Sequence, residues 1–185
     1  MTVRPLRLLG DPVLRTPCDR VVRFDDALAS LVTDLLDTVA EPGRAGLAAN
    51  QIGSMLAVFS YNVDDEVGYV INPVLVETSG EQVGYEACLS LPGVSADRRR
   101  AAHAVVTGVD VRQDPVTVAG DGLLARTLQH ECDHLAGELY IDKLAARERS
   151  ALLGAFNRSS SDAEANGPLG SRPRSQAVHR TLRSP

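Results

Sequence analysis

The sequence predicts one domain that combines helices and strands in the order helix, several strands, helix. Its 185 residues suit a single hydrophobic core followed by a tail, since one core commonly organises about 100 to 200 residues. The 44% hydrophobic and 23% charged residues are typical of a globular protein. Apolar residues recur at helical spacing, then in short strand-like runs, then again at helical spacing. Because aromatic residues are few, we expect a mostly aliphatic core.

The first clear helix is expected to begin at Asp25 or Asp26, either of which can cap its first turn. Pro42 and Gly43 end it. The apolar positions between them have the spacing of an amphipathic helix and are Leu28, Leu31, Val32, Leu35, Leu36 and Val39. Residues 1–20 contain scattered proline and glycine, which indicates irregular structure or an edge strand.

The middle of the chain predicts strands. Residues 56–61 form an apolar and aromatic run. A second run, 67–76, is interrupted at Asn72, so it predicts either two short strands or one kinked strand. Residues 105–111 and 116–119 have the pattern of a hairpin.

The last core helix is expected to start near Asp121 or Gly122 and to stop at Gly137. A shorter helix over 145–156 is expected to follow it.

The end of the chain differs in composition. From Ser159 onward it is rich in serine, glycine, proline and arginine, and such a segment buries too little apolar surface to offset its ordering. We therefore expect a folded domain over 1–158 and a flexible, disordered basic tail over 159–185.

Charge and composition exclude several classes of function. The formal net charge of −5 gives no general attraction for DNA or for an anionic membrane. The sequence shows neither a membrane-spanning apolar run nor a signal peptide, so we expect a cytoplasmic protein. Three cysteines are too few for a disulfide framework, which leaves a thiolate free to bind a metal.

The last core helix carries a His-Glu-x-x-His motif. His130 and His134 are four residues apart, so both imidazoles project from one face of the helix and can bind one ion. Glu131 lies beside them as an acid or base. Since the chain has only four histidines, this spacing favours a metal-dependent hydrolase over a coincidence.

A catalytic ion generally takes three protein ligands, so a third must come from elsewhere. Cys88 is the best candidate, because the glycine- and proline-bounded segment around it can bring a thiolate close to the helix. An inert buried thiol is the alternative for Cys88. Cys132 lies off the ligand face and is expected in the core.

Three segments together resemble the peptide deformylase family, and the resemblance covers roughly residues 3 to 150. The segments are Arg44-Ala45-Gly46-Leu47-Ala48-Ala49-Asn50-Gln51, Glu86-Ala87-Cys88-Leu89-Ser90 and Gln129-His130-Glu131-Cys132-Asp133-His134. The resemblance implies an α+β fold in which antiparallel strands pack around the central His-Glu-x-x-His helix. It also implies that Cys88 is the third metal ligand.

The resemblance further implies a reaction, which is removal of the N-formyl group from the first methionine of newly synthesised chains. The expected cofactor is one divalent ion, Fe(2+) or in its place Zn(2+), Ni(2+) or Co(2+). N-formylmethionyl nascent peptides are the expected partners, with the ribosome as a further candidate.

The residues of the motifs would then have specific roles. The side-chain amide of Gln51 and the backbone N–H of Leu89 would hold the formyl oxygen, and Glu131 would transfer protons. Gly46 and Ala87 would contact the substrate. Two further residues are candidates for bracing the metal site: Arg100 and Asp133.

The chain departs from the family pattern at several places. Arg44 replaces a glycine and Asn50 occupies a variable position, and we expect neither to touch a metal ligand. Ala87 replaces a glycine before the cysteine, where it would strain the backbone if φ were positive. Residues 95–97 stand where many members have bulky side chains beside the substrate groove.

Two alternatives remain open at this stage. One is a zinc peptidase that uses the same helix, which ligation by Cys88 would distinguish. The other is a noncatalytic or specialised relative that binds a metal or the ribosome, suggested by Ala87 and the basic tail.

Overall fold

The computed structural model describes residues 2–64 and 66–165, with side chains described through residue 159. The helices are α1 (Asp26–Val39), α2 (Gly122–Leu135) and α3 (Ala146–Ala165). The strands are β1 (Gly46–Ala48), β2 (Val58–Val63), β3 (Glu66–Ser79), β4 (Gln82–Cys88), β5 (Leu91–Arg100), β6 (His103–Val109) and β7 (Pro115–Asp121). Short 3₁₀ helices are Pro12–Arg15, Ala49–Ile52 and Tyr140–Lys143.

The strands form two antiparallel sheets. Five of them pair in the order β1-β2-β3-β6-β7, and β4 pairs with β5 in a separate hairpin. Separate antiparallel sheets packed with helices make this an α+β protein, as predicted.

Helix α1 covers one side of the larger sheet. The carboxylate of Asp25 accepts a hydrogen bond from the backbone N–H of Leu28 and so caps the first turn. Leu35 and Val39 are fully buried, in a cluster with Val58 and Ile71 of the sheet. This aliphatic contact fixes β2 and β3 relative to the helix.

Helix α2 packs against the larger sheet through a second apolar cluster. Ala125 and Leu128 are fully buried there beside Val106 and Val118. The helix ends before Gly137, which has φ of +76°, and a Cβ atom there would lie 2.9 Å from the backbone of Arg15. Only glycine fits this left-handed position, so the chain stops the helix and turns back against the N-terminal segment.

Strand β3 is one strand with an irregularity at Asn72, which is the second of the two predicted alternatives, and it continues three residues past the predicted end at 76. Asn72 has φ of +53°, and the pairing with β6 shifts register between Ile71 and Val74. Both polar atoms of the Asn72 side chain bond the backbone of Val21, at 2.7 and 2.9 Å. The side chain thereby compensates for the local loss of strand pairing.

The hairpin of β4 and β5 was not predicted at all. Its glycines and proline suggested a loop around Cys88, whereas Cys88 ends β4 and a two-residue turn, Leu89 and Ser90, leads into β5. The turn is held by a hydrogen bond from the backbone N–H of Leu9 to the Ser90 carbonyl oxygen, at 2.9 Å.

At the C-terminal end, α3 extends to Ala165, so the chain stays helical past the predicted tail start at 159. The remainder of the predicted tail, 166–185, lies outside the described residues. None of the helices in the described part of the chain has the length and apolar character needed to cross a membrane.

Candidate active site

A cavity of about 600 Å³ opens between the two sheets. One wall is the segment from Gly43 to Gly46 together with Gln51, and the opposite wall is the β4–β5 hairpin. Helix α2 forms the base with Leu123, Arg126, Thr127, His130 and Glu131. The cavity therefore joins all three sequence motifs.

At the base of the cavity, Cys88, His130 and His134 offer ligand atoms within 4.8 Å of one another. All three residues are buried, and Cys88 Sγ lies 3.1 Å from His134 Nε2. The two histidines come from adjacent turns of α2, and the end of β4 brings the thiol against them.

His130 is oriented by the side-chain carboxylate of Glu86, a residue to which the sequence patterns assigned no role at the site. Its Nδ1 lies 2.8 Å from Glu86 Oε1, so a proton on Nδ1 is shared with Glu86 and Nε2 remains available as a ligand atom. The hydrogen-bond partners of Glu86 are side chains. Its position two residues before Cys88 in a strand, on the same face, was the available signal.

Three arginines surround Glu86. Arg100 makes two hydrogen bonds with it, at 2.6 and 2.9 Å, and Arg126 makes one at 2.9 Å. Arg98 lies 3.6 Å away. Burial opposes ionisation, but the hydrogen bonds from Arg100 and His130 hold the pKa of Glu86 well below its usual range. Glu86 is thus a buried carboxylate that stays charged.

Arg100 also bonds Asp133, with Nη1 donating to Oδ2 at 2.6 Å. Arg98 donates to the same oxygen at 3.3 Å. The arginines of β5 therefore connect Glu86 on β4 with Asp133 on α2, and this ion-pair cluster holds the hairpin against the helix.

Glu131 points to the side of the base nearest β1. It is 2% exposed, and its Oε2 has no hydrogen-bond partner among the described residues. Burial raises the pKa of Glu131 to about 7, so it can hold or release a proton near neutrality. A Cβ atom on Gly46 would clash with Glu131 Oε1 and lie 2.7 Å from Thr127 Cγ2, so only glycine fits there.

The amide of Gln51 is held in one orientation. Its Oε1 accepts a hydrogen bond from the backbone N–H of Ala48 at 2.8 Å. Its Nε2 consequently faces the metal-ligand candidates, 3.6 Å from Cys88 Sγ and 3.2 Å from Ser90 Oγ. Leu89 lines the same cavity in the hairpin turn.

Asn50 contradicts an expectation of the sequence analysis. Its Nδ2 donates a hydrogen bond to the backbone oxygen of His134 at 2.6 Å, so it does touch a ligand residue. The two residues are far apart in the chain, and no local pattern indicated the contact.

The departures from the family pattern cause little distortion. Ala87 lies in β4 and is absent from the described non-glycine residues with positive φ, so its methyl group causes no backbone strain. Residues 95–97 do not line the cavity, whereas Pro92, Gly93 and Val94 do. Arg44 lines the cavity and donates to the carbonyl oxygen of Thr38 at 2.7 Å.

The donor set fits a divalent transition metal. A thiolate with two imidazoles is preferred by borderline and soft ions over Mg(2+) or Ca(2+). Burial lowers the pKa of His134 well below its usual value, which keeps that imidazole neutral as a ligand must be. The hydrogen bond between His130 Nδ1 and Glu86 orients the second ligand imidazole.

Comparison with known proteins agrees with this geometry. The family model described as polypeptide deformylase matches residues 3–150. A peptide deformylase of Parafrankia sp. is 51% identical over 158 residues, covering 84% of this chain and 86% of that protein. Peptide deformylase 2 of Streptomyces coelicolor is 50% identical over 164 residues, which cover 85% of this chain and 92% of that protein. The crystal structure of a peptide deformylase from Legionella pneumophila matches with a TM-score of 0.84 and 33% sequence identity. The match covers 90% of this chain and 100% of that one.

The α+β fold and the buried Cys/His/His cluster beside a glutamate define a metal-dependent hydrolase. More particularly, the chain belongs to the polypeptide deformylase family.

Proposed function

We propose that this protein removes the N-formyl group from the N-terminal methionine of newly synthesised polypeptides. Water adds to the formyl carbon and the C–N bond breaks, which gives formate and a free α-amino group. The observation that carries the proposal is the buried cluster of Cys88, His130 and His134 with Glu131 at the base of an open cavity. The cytoplasm, where formylated chains are made, is the proposed location, and the ribosome is a proposed partner.

Cys88, His130 and His134 would hold one divalent ion. Fe(2+) is the proposed native metal, with Zn(2+), Ni(2+) or Co(2+) as substitutes that accept the same ligands. When bound, the ion supplies Lewis acidity toward water and the formyl carbonyl.

Glu131 would move the protons. Its unpartnered Oε2 is buried, and its raised pKa suits both accepting a proton from water and delivering it to the leaving amine nitrogen. The close fit of Gly46 over Glu131 supports this role, because it holds the carboxylate at one position beside the cavity.

Gln51 and Leu89 would hold the formyl oxygen. The contact between Gln51 Oε1 and Ala48 leaves Nε2 as a fixed donor, and a fixed donor stabilises a developing oxyanion without reorganising. The backbone N–H of Leu89 would be the second donor. Gly46 and Ala87, on opposite walls, would contact the substrate backbone.

Arg100 and Asp133 would brace the site from behind. Together with Glu86 they link β4, β5 and α2, so the distance between Cys88 and the two histidines depends on them. Neither residue would touch the reacting atoms.

The alternatives have less support. A zinc peptidase with this helix would usually take a carboxylate or a histidine as third ligand, whereas here a cysteine occupies that place. A noncatalytic relative was suggested by Ala87, which has an unstrained backbone.

The direct test is formate release from a formyl-Met peptide by the metal-loaded protein, purified without oxygen. We expect turnover by the unmodified chain and none by Glu131→Ala, which should still bind its ion. No turnover with the ion bound would overturn the proposed function. A retained rate in Glu131→Ala would overturn the proton-transfer role.

A further inference from the structure

A buried arginine forms part of the cavity wall beside the candidate reaction centre. Arg126 precedes His130 by one turn of α2, so the two side chains project from the same face of the helix. The Arg126 side chain is 8% exposed and lines the cavity. A charged group is unexpected in a pocket that would receive the apolar methionine side chain.

Only part of this guanidinium is occupied by the protein. Nη1 donates to Glu86 Oε2 at 2.9 Å and to the carbonyl oxygen of Arg98 at 3.0 Å. Among the described residues, no acceptor bonds Nη2 or Nε of Arg126. Neither atom is buried from solvent as an unpaired group would be in a closed core, so both retain some accessible surface. Since Arg126 is a cavity residue, these free N–H groups are open to the cavity.

Gly84 leaves that side of the guanidinium uncovered. Gly84 lies on β4, and a Cβ atom there would be 3.4 Å from Arg126 Nη2. A larger side chain would extend over Nη2. The absence of a side chain at Gly84 therefore keeps the donor accessible to a ligand.

One aliphatic and one aromatic side chain stand at the entrance beside Arg126. Leu123 lies one turn before Arg126 on α2, and Tyr85 stands opposite on β4. Their side chains are 52% and 70% exposed. The pocket thus offers an apolar entrance and a charged donor deeper inside.

The depth of Arg126 in the cavity determines which part of a substrate can reach it. Ala87 lies at the exposed rim, where a peptide backbone would run, whereas Arg126 is buried behind it. A side chain that enters beside His130 is the substrate group that meets the guanidinium. For a formylated peptide this is the side chain of the first residue, so the inference rests on the proposed function.

We propose that Arg126 donates a hydrogen bond to an acceptor atom in the first side chain of the substrate, and that formyl-methionine sulfoxide chains are therefore substrates as well. The sulfoxide oxygen is a strong acceptor that is bonded to the methionine sulfur. The side chain has nearly the same length as that of methionine. The thioether sulfur of methionine is a weak acceptor, and norleucine has none. The substrate class is N-formyl peptides whose first side chain is unbranched and carries an acceptor.

A hydrogen bond from a charged donor changes affinity by about 10- to 100-fold. A side chain without an acceptor leaves Arg126 without a partner once water is excluded. This cost adds to the preference for substrates that carry an acceptor. Replacement of Arg126 by methionine should remove this preference, because methionine keeps much of the length and lacks every donor.

The test measures binding in the full, metal-loaded chain that carries Glu131→Gln, so that no substrate is consumed. Three peptides are compared by calorimetry, with formyl-methionine sulfoxide, formyl-methionine or formyl-norleucine as first residue, and each sulfoxide epimer is used separately because the sulfur is chiral. We expect Arg126→Met to lower the affinity ratio of the better sulfoxide epimer to norleucine by at least about 10-fold. Leu123→Ala is the matched control, since it should weaken all peptides and leave that ratio unchanged.

The inference would be overturned if Arg126→Met left the ratio of sulfoxide to norleucine affinity unchanged. It would also be overturned if Leu123→Ala changed that ratio equally. Circular dichroism of each variant shows whether it is folded, and Arg126→Lys, which keeps the charge, should retain part of the preference. The unmodified enzyme should also release formate from the sulfoxide peptide. Failure of the proposed function would be seen separately, as absence of formate release from the formyl-Met peptide even if the binding ratio depends on Arg126.

Discussion

The side-chain amide of Asn50 donates a hydrogen bond to the backbone oxygen of His134 across 2.6 Å. Asn50 lies in the 3₁₀ helix that carries Gln51, and His134 lies in the last turn of α2. One buried contact therefore joins the proposed oxyanion donor to a proposed metal ligand. Its loss should affect both the fold and the metal site.

Asn50→Ala should lower the free energy of unfolding by about 0.5 to 1.5 kcal/mol, because the His134 carbonyl oxygen loses one buried hydrogen bond and keeps the one from the Gly137 backbone N–H. It should also speed the loss of the ion during dialysis against a chelator. Asn62→Ala is a matched control, since Asn62 donates to a helix carbonyl, that of Val39, away from the metal-ligand candidates. The contact has no role at the metal site if both variants lose the ion at the same rate.

Glu86→Gln should destabilise the protein by about 3 to 5 kcal/mol, because it leaves buried arginines without their carboxylate. It should also weaken metal retention through His130. Urea unfolding and chelator competition measure the two effects.

The control for Glu86 is Glu81→Gln, which breaks an ion pair of Glu81 with Arg99 whose side chains are 53% and 70% exposed. Exposed pairs contribute about 0 to 1 kcal/mol, so this variant should behave like the unmodified chain. Equal destabilisation by both substitutions would contradict the importance of the buried cluster.

Gly46→Ala should lower kcat/KM by at least about 100-fold, because its methyl group would displace the Glu131 carboxylate. The ion should stay bound, since the atoms nearest to the new methyl group belong to Glu131 and Thr127 and not to the metal-ligand group. Gly154→Ala on α3 is the control, where the nearest atom to a new Cβ is 3.5 Å away and alanine favours the helix. A nearly normal rate in Gly46→Ala would refute the proposed fit over Glu131.

Asp142→Asn should destabilise the fold in a pH-dependent way. Burial raises the pKa of Asp142, but hydrogen bonds from Arg15 and from the Leu139 backbone lower it more, so the folded pKa lies below its usual value. The carboxylate therefore stabilises the fold above the unfolded pKa of about 3.9 and loses this effect as pH falls through the folded value. We expect a difference of about 1 kcal/mol at pH 7 between the variant and the unmodified chain.

The same difference should vanish at the acid end of the titration, measured by urea unfolding from pH 7 to pH 2. Asp97→Asn, at an exposed carboxylate of β5, serves as the comparison and should show no such trend. A difference for Asp142→Asn that is constant over the whole range would exclude the linkage.

Local patterns were sufficient to predict the two helices that position the site. The spacing of Leu28 to Val39 and the cap at Asp25 gave α1 nearly its observed bounds, and the glycine at 137 gave the end of α2. Such features depend on neighbours within one or two turns, so they are visible in a single sequence.

The hairpin around Cys88 was less accessible to prediction. Its strands pair with each other and contain Gly84, Pro92 and Gly93, residues that usually indicate loops. The side chains that stabilise it come from distant positions, such as the pair of Glu86 and Arg126. Contacts of this length are determined by tertiary packing and leave no local pattern.

The two walls of the cavity belong to different sheets, which share no strand pairing in the described residues. No ladder of backbone hydrogen bonds joins the two sheets, so the width of the opening depends in part on side-chain contacts with α2. The ion pairs of Arg98 and Arg100 with Asp133 fasten the hairpin to that helix. Substitutions there would change which ligands can enter, even though these arginines are remote from the ligand's reacting bond.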